Sequence, residues 1–402
     1  MIADSVFTSH PEQRRRICFL FNHDAAHQAS HIAAIAGQLA TLHPELDVIA
    51  ATGTPDIATH LCRLLSPAQI AALQWHDLSL PRWANIASAP LNRILPAQRV
   101  ARLYHSLDFF ASLDALVSTE RTCLRVKRSL VKKGKGAPQF IYVPHGSGDR
   151  NVAYHPELSQ FDLMLLSGQK LVDEMVSHGI CHADQTRLIG YAKFDTVNMQ
   201  DRPRFFENDH PVFVYNPHFD PHLSSWYDHG PQLLDWFASE AGRAFNLIFA
   251  PHVMLFRKGL HISPEYRVAR RRPGIKARWQ SAANILIDTD SPRLFDMSYM
   301  RSADAYIGDV SSQVYEFLAT PRPVFFIDAH ANDVAAYDFW GNGPVVSSVG
   351  ELTAILPDYA RVGAAFATVQ RQKMDYTIDR SDPRPASVRG AEALADFIAE
   401  TP

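Results

Sequence analysis

The sequence lacks the features that mark several classes of protein. It has four cysteines in 402 residues, and no two of them have CxxC spacing. It therefore contains no CxxC zinc motif and gives little basis for a disulfide framework. No stretch approaches the ~18 consecutive apolar residues that span a membrane. The 39 basic and 42 acidic residues leave a net charge of −3, unlike the clearly basic balance of a general nucleic-acid-binding protein. We expect a cytoplasmic globular protein.

Motifs of several nucleotide-binding and hydrolytic enzymes are also missing. No GxGxxG follows the first apolar run, which gives poor support to a dinucleotide-binding fold, and no GxxxxGK[ST] occurs. No GxSxG nucleophile elbow occurs either. Histidine, in contrast, is abundant at 19 residues, and its titration near neutral pH suits acid–base and phosphate chemistry. His23, Asp24 and His27 resemble a metal cluster in composition, and we favour an acceptor-side or structural role for them.

What the sequence does contain is a repeated order of short apolar run, polar loop and amphipathic stretch. Continuous apolar strands separated by helices predict parallel sheets with helices on both faces. The strands predicted in the first half are 17–21, 46–50, 113–117, 139–143, 161–166 and 188–190. Those of the second half are 212–215, 245–249, 285–287, 305–307 and 324–327. Helices are predicted at 28–42, 55–80, 168–176, 229–241, 291–301, 311–319 and 349–357.

The chain therefore divides into two doubly wound α/β halves. The polar stretch 200–211 is the predicted linker. We assign residues 1–205 to the first domain and 206–385 to the second, with 386–402 as a C-terminal helix that packs back on the first domain; the family resemblance given below implies that the first is the acceptor-side domain and the second the nucleotide-donor-binding domain. In such sheets ligands bind beyond the carboxyl ends of the strands, so the residues that follow each strand are the candidates for a site.

Two histidines follow predicted strands directly. His145, in His145-Gly146, would stand at the mouth of a crevice and act as a general base on a hydroxyl nucleophile. The alternative is a loop histidine that caps a helix or bonds a carbonyl. His252, after Ala250-Pro251, could donate a hydrogen bond to a phosphate oxygen, although taken alone it is more often a structural residue.

The most informative segment is Asp304–Phe317, where a predicted strand runs through Asp309 into two serines and a helix. Ser311 or Ser312 can cap that helix, whose free N–H groups would then face the crevice. A helix N-terminus of this kind suits a diphosphate. Glu316, one turn further on, could bind the ribose hydroxyl pair. Ordinary capping by serine is the alternative.

Two basic clusters interrupt the near-neutral balance. The first holds Arg121, Arg125, Lys127, Arg128, Lys132, Lys133 and Lys135, and the second holds Arg267, Arg270, Arg271, Arg272, Lys276 and Arg278. Each is either a solvated face or a contact for an anionic acceptor or anionic lipid. Neither cluster has the interleaved aromatic residues that indicate single-stranded nucleic acid.

Taken in order, these segments resemble the CDP-glycerol glycerophosphotransferase family, the teichoic-acid primase and polymerase type. The resemblance covers roughly residues 110–330. It comprises His145-Gly146, Phe161-Asp162 with Ser167-Gly168, Ile189–Asp195, Val214–Pro217, Gly308–Ser312 with Glu316, and Pro323. Gly308–Ser312 is similar to the family's Thr-Asp-Tyr-Ser-Ser. The sequence departs from the family at His145–Arg150, where the family has His-Gly-Thr-Pro-x-Lys, and at Pro251-His252, where the family has the reverse order.

The resemblance implies a GT-B fold of two Rossmann-like domains facing a crevice. It implies transfer of glycerol phosphate from CDP-glycerol to a hydroxyl of a glycan or polyol-phosphate acceptor, in synthesis of a cell-envelope polymer, with no metal or other cofactor required. His145 would be the base. His252 would hold the donor diphosphate and Glu316 the ribose. The further residues of the implied site are Ser311, Ser312 and Asp309 for the diphosphate, and His23, Gly146 and Arg150 on the acceptor side.

The same resemblance implies a lipid-linked or glycan anionic acceptor. The basic clusters and the lack of a spanning segment predict peripheral contact with the inner face of an anionic cytoplasmic membrane. The charge balance predicts no nucleic acid as partner. Two other functions stay open. One is a GT-B glycosyltransferase or a UDP-N-acetylglucosamine 2-epimerase-like enzyme that uses a nucleotide sugar. The other is a non-catalytic nucleotide-binding protein on a GT-B scaffold.

Overall fold

A computed structural model describes residues 14–23, 28–81, 84–85, 88, 97–146, 154–330 and 337–401. Within them, the first half of the chain forms a seven-stranded parallel sheet. Its strands are β1 (Arg16–Phe21), β2 (Asp47–Thr52), β3 (Gln74–Asp77), β4 (Ala115–Ser118), β5 (Gln139–Tyr142), β6 (Leu163–Leu166) and β7 (Thr186–Leu188). Their order across the sheet is β3-β2-β1-β4-β5-β6-β7.

The second half forms a six-stranded parallel sheet and a small antiparallel hairpin. The sheet contains β8 (Val212–Asn216), β9 (Asn246–Phe249), β12 (Ile285–Ile287), β13 (Ala305–Gly308), β14 (Val324–Ile327) and β15 (Val345–Val346); the hairpin is β10 (Leu260–Ser263) with β11 (Val268–Arg271). The order in the sheet is β12-β9-β8-β13-β14-β15. The two doubly wound parallel sheets predicted from the sequence are confirmed.

Helices cover both faces of each sheet. Those of the first half are α1 (Ser30–Leu42), α2 (Pro55–Leu64), α3 (Pro67–Ala72), α4 (Ala97–His105), α5 (Leu107–Phe110), α6 (Leu124–Lys132) and α7 (Gln169–Ser177). Those that follow are α8 (Gly230–Phe237), α9 (Ala277–Gln280), α10 (Ser298–Ser302), α11 (Val314–Phe317), α12 (Val349–Ile355), α13 (Tyr359–Ala364), α14 (Ala367–Thr377) and α15 (Ala386–Glu400).

The continuous apolar runs result from this layering. In β1, Ile17 and Phe19 pack into the core on one face of the sheet, and Cys18 and Leu20 pack into the core on the other. Successive side chains of a strand point to opposite faces, so a strand that is covered on both faces needs apolar residues at every position. The second sheet likewise has a core on each face.

The sequence prediction was wrong over part of 55–80. Two short helices occupy 55–72, each begun by a capping side chain: Thr54 for α2, and Ser66 with Gln69 in a capping box for α3. Residues 74–77 then form β3, a polar edge strand with mostly exposed side chains. No apolar run marks this strand because its side chains are mostly exposed to solvent and are not covered on both faces. The hairpin β10–β11 was not predicted.

The last helix returns to the first half of the chain. Leu394 and Ile398 of α15 are buried in the core of the first sheet. α15 packs closely on α1 at Gly390, where a β-carbon would lie 3.1 Å from Ile35 Cδ1. At the N-terminus of α15, Asp195 accepts the backbone N–H of Ser387 at 2.6 Å. The chain therefore crosses between the halves twice.

Candidate active site

A cavity of about 410 Å³ lies between the carboxyl ends of the two sheets. Most of its lining comes from the segments that follow β1, β5 and β7 in the first half and β8, β9 and β13 in the second, with Arg99 after β3 and Phe295 after β12. In each sheet the order of strands reverses here, between β1 and β4 and between β8 and β13. Ligands of open α/β sheets bind at such switch points, so this cavity is the candidate active site.

The structure brings five predicted site residues together on the cavity wall: His145, His252, Ser311, Ser312 and Glu316. The first belongs to one half of the chain and the other four to the other half. Gly146, predicted on the acceptor side, faces Ser312 of the other half: a β-carbon built on Gly146 would lie 3.9 Å from Ser312 Oγ. Arg150, Asp24 and His27 lie outside the residues that the structure describes.

His145 stands at the end of β5 with its ring oriented by the loop that follows β4. Its Nδ1 lies 3.1 Å from the backbone carbonyl oxygen of Thr119. A carbonyl oxygen can only accept, so Nδ1 carries the proton that is donated, and in the neutral ring Nε2 carries a lone pair. This is the tautomer that a general base requires.

His23 lies beneath His145 and does not line the cavity. It is 2% exposed, and its Nε2 is 3.3 Å from Thr119 Oγ1 while its Nδ1 is 3.5 Å from Glu120 Oε1. Glu120 in turn is paired with Arg99, which does line the cavity. His23 is therefore placed to hold the loop whose carbonyl orients His145, and its predicted role on the acceptor side stays a prediction.

His252 has the opposite tautomer on the opposite wall. Its Nδ1 accepts the backbone N–H of Met254 at 3.2 Å. That nitrogen must be unprotonated, so the proton of the neutral ring is on Nε2. His252 is thus a hydrogen-bond donor, which is what a phosphate oxygen requires.

The serine segment differs from the predicted helix N-terminus. The helix α11 spans only Val314–Phe317 and has no side-chain cap, so Ser311 and Ser312 form a turn before it. The first N–H groups of the helix bond to the carbonyls of this turn, among them Val314 N–H to Ser311 at 3.3 Å and Tyr315 N–H to Ser312 at 3.1 Å. The anion donors left at this end are the hydroxyl and N–H groups of the two serines.

Asp309 lies behind the cavity wall. It is 1% exposed, and its oxygens accept the backbone N–H groups of His218, Val310 and Ser225 together with the Ser225 hydroxyl, at 2.7–2.9 Å. Burial raises the pKa of Asp309 to about 6. The residue predicted to hold a diphosphate is instead placed to fix the loop after β8.

Glu316 is held by a residue of the other half of the chain. Lys193 Nζ donates to Glu316 Oε1 at 2.6 Å, and both side chains are 4% exposed. The second carboxylate oxygen, Oε2, is buried without a hydrogen bond of ordinary geometry in the described part of the chain. Burial, the adjacent Glu316 carboxylate and a hydrogen bond to that carboxylate hold the pKa of Tyr191 well above its ordinary value. A ligand hydroxyl that binds Glu316 would therefore compete with the Tyr191 hydroxyl for this carboxylate.

The charge of the cavity suits an anion. Its described lining includes three cations, Arg99, Lys193 and Arg257, and one carboxylate, that of Glu316. Over the described residues, no three His, Cys, Asp or Glu side chains converge in a group that could hold a metal ion. The sequence analysis gave no role to Lys193, Arg257 or His218, although Lys193 and His218 each lie three residues after a predicted strand.

The basic clusters lie away from this cavity. In the first, Lys127 pairs with Asp162 at 3.1 Å and Arg128 with Glu157 at 2.6 Å. In the second, Arg270 pairs with Asp228 and Arg278 with Asp235, both at 2.6 Å, and Lys276 with Asp235 at 3.4 Å. Acidic neighbours therefore offset part of each cluster. No helix in the described ranges is both long and apolar enough to cross a membrane.

Comparisons with known proteins identify the fold. No protein-family model and no curated protein sequence matches the chain. The UDP-GlcNAc 2-epimerase of Neisseria meningitidis, solved bound to UDP-GlcNAc, aligns with 96% of this chain and 100% of its own at a TM-score of 0.60 and 10% identity. The wall teichoic acid polymerase TagF aligns with 96% of this chain and 88% of its own at a TM-score of 0.56 and 15% identity.

A TagF variant soaked with CDPG (CDP-glycerol) gives a TM-score of 0.54 at 15% identity over the same shares of the two chains. Identities this low show a common architecture and leave the reaction open. With its two parallel-sheet halves facing a cleft, the chain has the GT-B fold.

Proposed function

We propose that the chain is a transferase that moves glycerol phosphate from CDP-glycerol to a hydroxyl group of an anionic glycan or polyol-phosphate acceptor. The observation that carries this proposal is the opposed tautomers of His145 and His252 across one cleft. The first presents a nitrogen lone pair and the second an N–H group. Attack of a hydroxyl on a phosphorus atom requires a base on one side and, facing it, a group that donates a hydrogen bond to the phosphate.

In the proposed reaction, His145 Nε2 takes the proton from the acceptor hydroxyl as its oxygen attacks the β-phosphorus of the donor. A new P–O bond forms, and the bond between the β-phosphorus and the bridging oxygen breaks. CMP leaves with the bridging oxygen and its electron pair, and the proton passes from His145 to solvent. Charge that develops on the phosphate oxygens is stabilised by His252, Ser311 and Ser312, which need no reorganisation at the moment of reaction.

The choice of donor has two supports. The Glu316 carboxylate on the cavity wall can accept hydrogen bonds from the ribose hydroxyls of any nucleotide. The cytidine and glycerol parts rest on the resemblance of Gly308–Ser312 and Ile189–Asp195 to the CDP-glycerol glycerophosphotransferases. A GT-B enzyme that uses a UDP-sugar would have the same ribose contact, so the experiment must compare the two donors directly.

The test is calorimetric titration of the protein with CDP and with CDP-glycerol, followed by an assay of CMP release in the presence of a glycerol phosphate oligomer. We expect CDP to bind and CMP to be released. Ser311→Ala and Glu316→Ala should each weaken CDP binding by about tenfold or more, since hydrogen bonds to charged groups contribute about 1.5–3 kcal/mol. Glu240→Ala, an exposed glutamate of the same half, is the matched control and should bind as the wild type does.

Two outcomes would overturn the proposal. The first is failure of the wild-type protein to bind any cytidine nucleotide at millimolar concentration. The second is turnover of UDP-N-acetylglucosamine or another UDP-sugar with none of CDP-glycerol, which would transfer the assignment to the nucleotide-sugar enzymes of the same fold.

A further inference from the structure

Two neighbouring strands of the second sheet end in the same dipeptide. β8 is followed by Pro217-His218, and β9, its parallel neighbour, by Pro251-His252. The two turns are joined to each other, because the backbone N–H of His252 donates to the carbonyl of Pro217 at 3.0 Å. The sequence analysis considered only the second of these histidines.

The two rings have the same hydrogen bond and therefore the same tautomer. His218 Nδ1 accepts the N–H of Asp220 at 3.1 Å, and His252 Nδ1 accepts the N–H of Met254 at 3.2 Å. In each case the donor N–H belongs to the residue two positions after the histidine, and in each case Nε2 carries the proton of the neutral ring. The geometry of one turn is thus repeated in the other.

Both rings line the cavity, with centroids 5.4 Å apart. This spacing lets two Nε2–H groups serve one phosphate group or the adjacent phosphates of a diphosphate. Ser311 and Ser312 line the same wall of the cavity, and Arg257 and Lys193 contribute positive charge. The pair is therefore surrounded by the groups that a polyanion needs.

The position of His218 is fixed by Asp309, which lies behind the cavity wall. Its backbone N–H donates to Asp309 at 2.9 Å, and the same carboxylate accepts the N–H and the hydroxyl of Ser225. His218 is 3% exposed, and Phe219 packs against both histidine rings at 4.5–4.8 Å. A donor held this firmly loses little conformational freedom when it binds a ligand.

We propose that His218 and His252 form a two-histidine subsite for the diphosphate group, with His218 as a phosphate-binding residue that the pattern of strand ends alone did not single out. The inference rests on the proposed function for the identity of the donor, but the chemistry it names is that of any diphosphate. Inorganic pyrophosphate is therefore a probe that is independent of the nucleotide.

The experiment compares two substitutions that separate ring packing from hydrogen bonding. His218→Phe keeps an aromatic ring and loses the Nε2–H donor, whereas His218→Gln keeps an amide N–H near the position of Nε2. We expect His218→Phe to weaken binding of pyrophosphate and of CDP by about tenfold to a hundredfold, and to leave binding of cytidine, which has no phosphate, nearly unchanged. His218→Gln should recover most of the loss, and His210→Phe, at an exposed site before β8, should match the wild type.

The inference is overturned if His218→Phe binds pyrophosphate as tightly as the wild type, or if cytidine binding falls as much as CDP binding. If pyrophosphate binds in a manner that depends on His218 while no cytidine nucleotide binds, the proposed function fails and the subsite stands. If the His218 variants do not fold, ¹⁵N NMR of the histidines in the wild-type protein tests the inference without a substitution. It should show an Nε2–H tautomer at His218 whose signal shifts with pyrophosphate, and an unshifted signal would also overturn the inference.

Discussion

His145 and His252 show how a single hydrogen bond decides what a histidine can do. The carbonyl of Thr119 fixes the proton of His145 on Nδ1, and the N–H of Met254 fixes that of His252 on Nε2. The sequence supplied both residues because each follows an apolar strand. It could not supply their tautomers, since the bonding groups are a carbonyl 26 residues away and a backbone N–H in a turn.

The first prediction at this scale concerns His145→Ala. Loss of a general base should lower kcat for CMP release by about 10²- to 10⁴-fold, with CDP binding nearly unchanged because the proposed role of the ring is to take a proton from the acceptor. Added imidazole should restore part of the rate, since it replaces the missing base. The measurement is the rate of CMP release with and without imidazole, alongside calorimetry with CDP.

His178→Ala is the matched control, because His178 is exposed at the end of α7 and is not among the described residues that line the cavity. It should keep the wild-type rate. A His145→Ala protein with kcat close to that of the wild type would contradict the assignment of this residue as the base, even if the donor binds as proposed.

The sequence predicts Glu316 as a site residue but does not predict its partner, Lys193. Glu316 was identified because it stands one turn after two serines at a strand end. Its partner lies 123 residues earlier, in a segment that the sequence analysis matched to a family motif without giving Lys193 a role. Contacts between the halves depend on how the sheets face each other, which strand periodicity does not determine.

At the scale of elements, the parallel strands were the most predictable part. Strands buried on both faces are continuous apolar runs, as β1 and β13 are. Short helices and edge strands were the least predictable. The predicted helix 311–319 reduces to α11 because a turn through Ser311 and Ser312 precedes it, and because Pro321 disfavours helical backbone in the residue before it.

Asp309 gives a prediction for the loop after β8. Its folded pKa, about 6 through burial, is above the ~3.9 of an unfolded chain. The folded state therefore binds a proton between these values, so stability from this group is present at low pH and lost as the pH rises through the folded pKa. Relative to Asp309→Asn, the wild type should gain about 1 kcal/mol in free energy of unfolding between pH 7 and pH 5, measured by urea denaturation.

Asp288→Asn serves as a control with the opposite sign. Burial raises the pKa of Asp288, but hydrogen bonds from Ser291 and Tyr299 outweigh burial and lower it overall. The wild type should therefore lose stability relative to Asp288→Asn as the pH falls. A wild-type advantage over Asp309→Asn that does not change with pH would show that the Asp309 carboxyl stays ionised throughout this range.

At the scale of the whole molecule, the cleft depends on contacts between the halves. The buried pair of Lys193 and Glu316 joins them at the cavity wall, and α15 returns from the second half to pack on α1. A buried ion pair contributes little net stability when intact, but removal of one partner leaves an uncompensated charge and costs about 3–5 kcal/mol. The same pair includes the carboxylate proposed to bind ribose, so it affects both the stability of the protein and its recognition of the ligand.

The last prediction separates these two roles. Lys193→Met should lower the free energy of unfolding by about 3 kcal/mol, because the Glu316 carboxylate is then buried without its partner. The double variant Lys193→Met with Glu316→Gln removes both charges and should recover most of that loss. Urea denaturation measures the stability of the three proteins, with Lys276→Met, which removes a lysine from a partly exposed pair, as the control.

Recognition of ribose should not recover with stability. The wild type should bind CDP about tenfold to a hundredfold more tightly than 2′,3′-dideoxy-CDP, because the Glu316 carboxylate accepts from the ribose hydroxyls. In the double variant this preference should largely disappear, since a neutral amide replaces the charged acceptor. The double variant could instead be stable and still prefer the ribonucleotide as strongly as the wild type. In that case Glu316 links the two halves without binding the ribose, and another group in the cleft must bind the ribose hydroxyls.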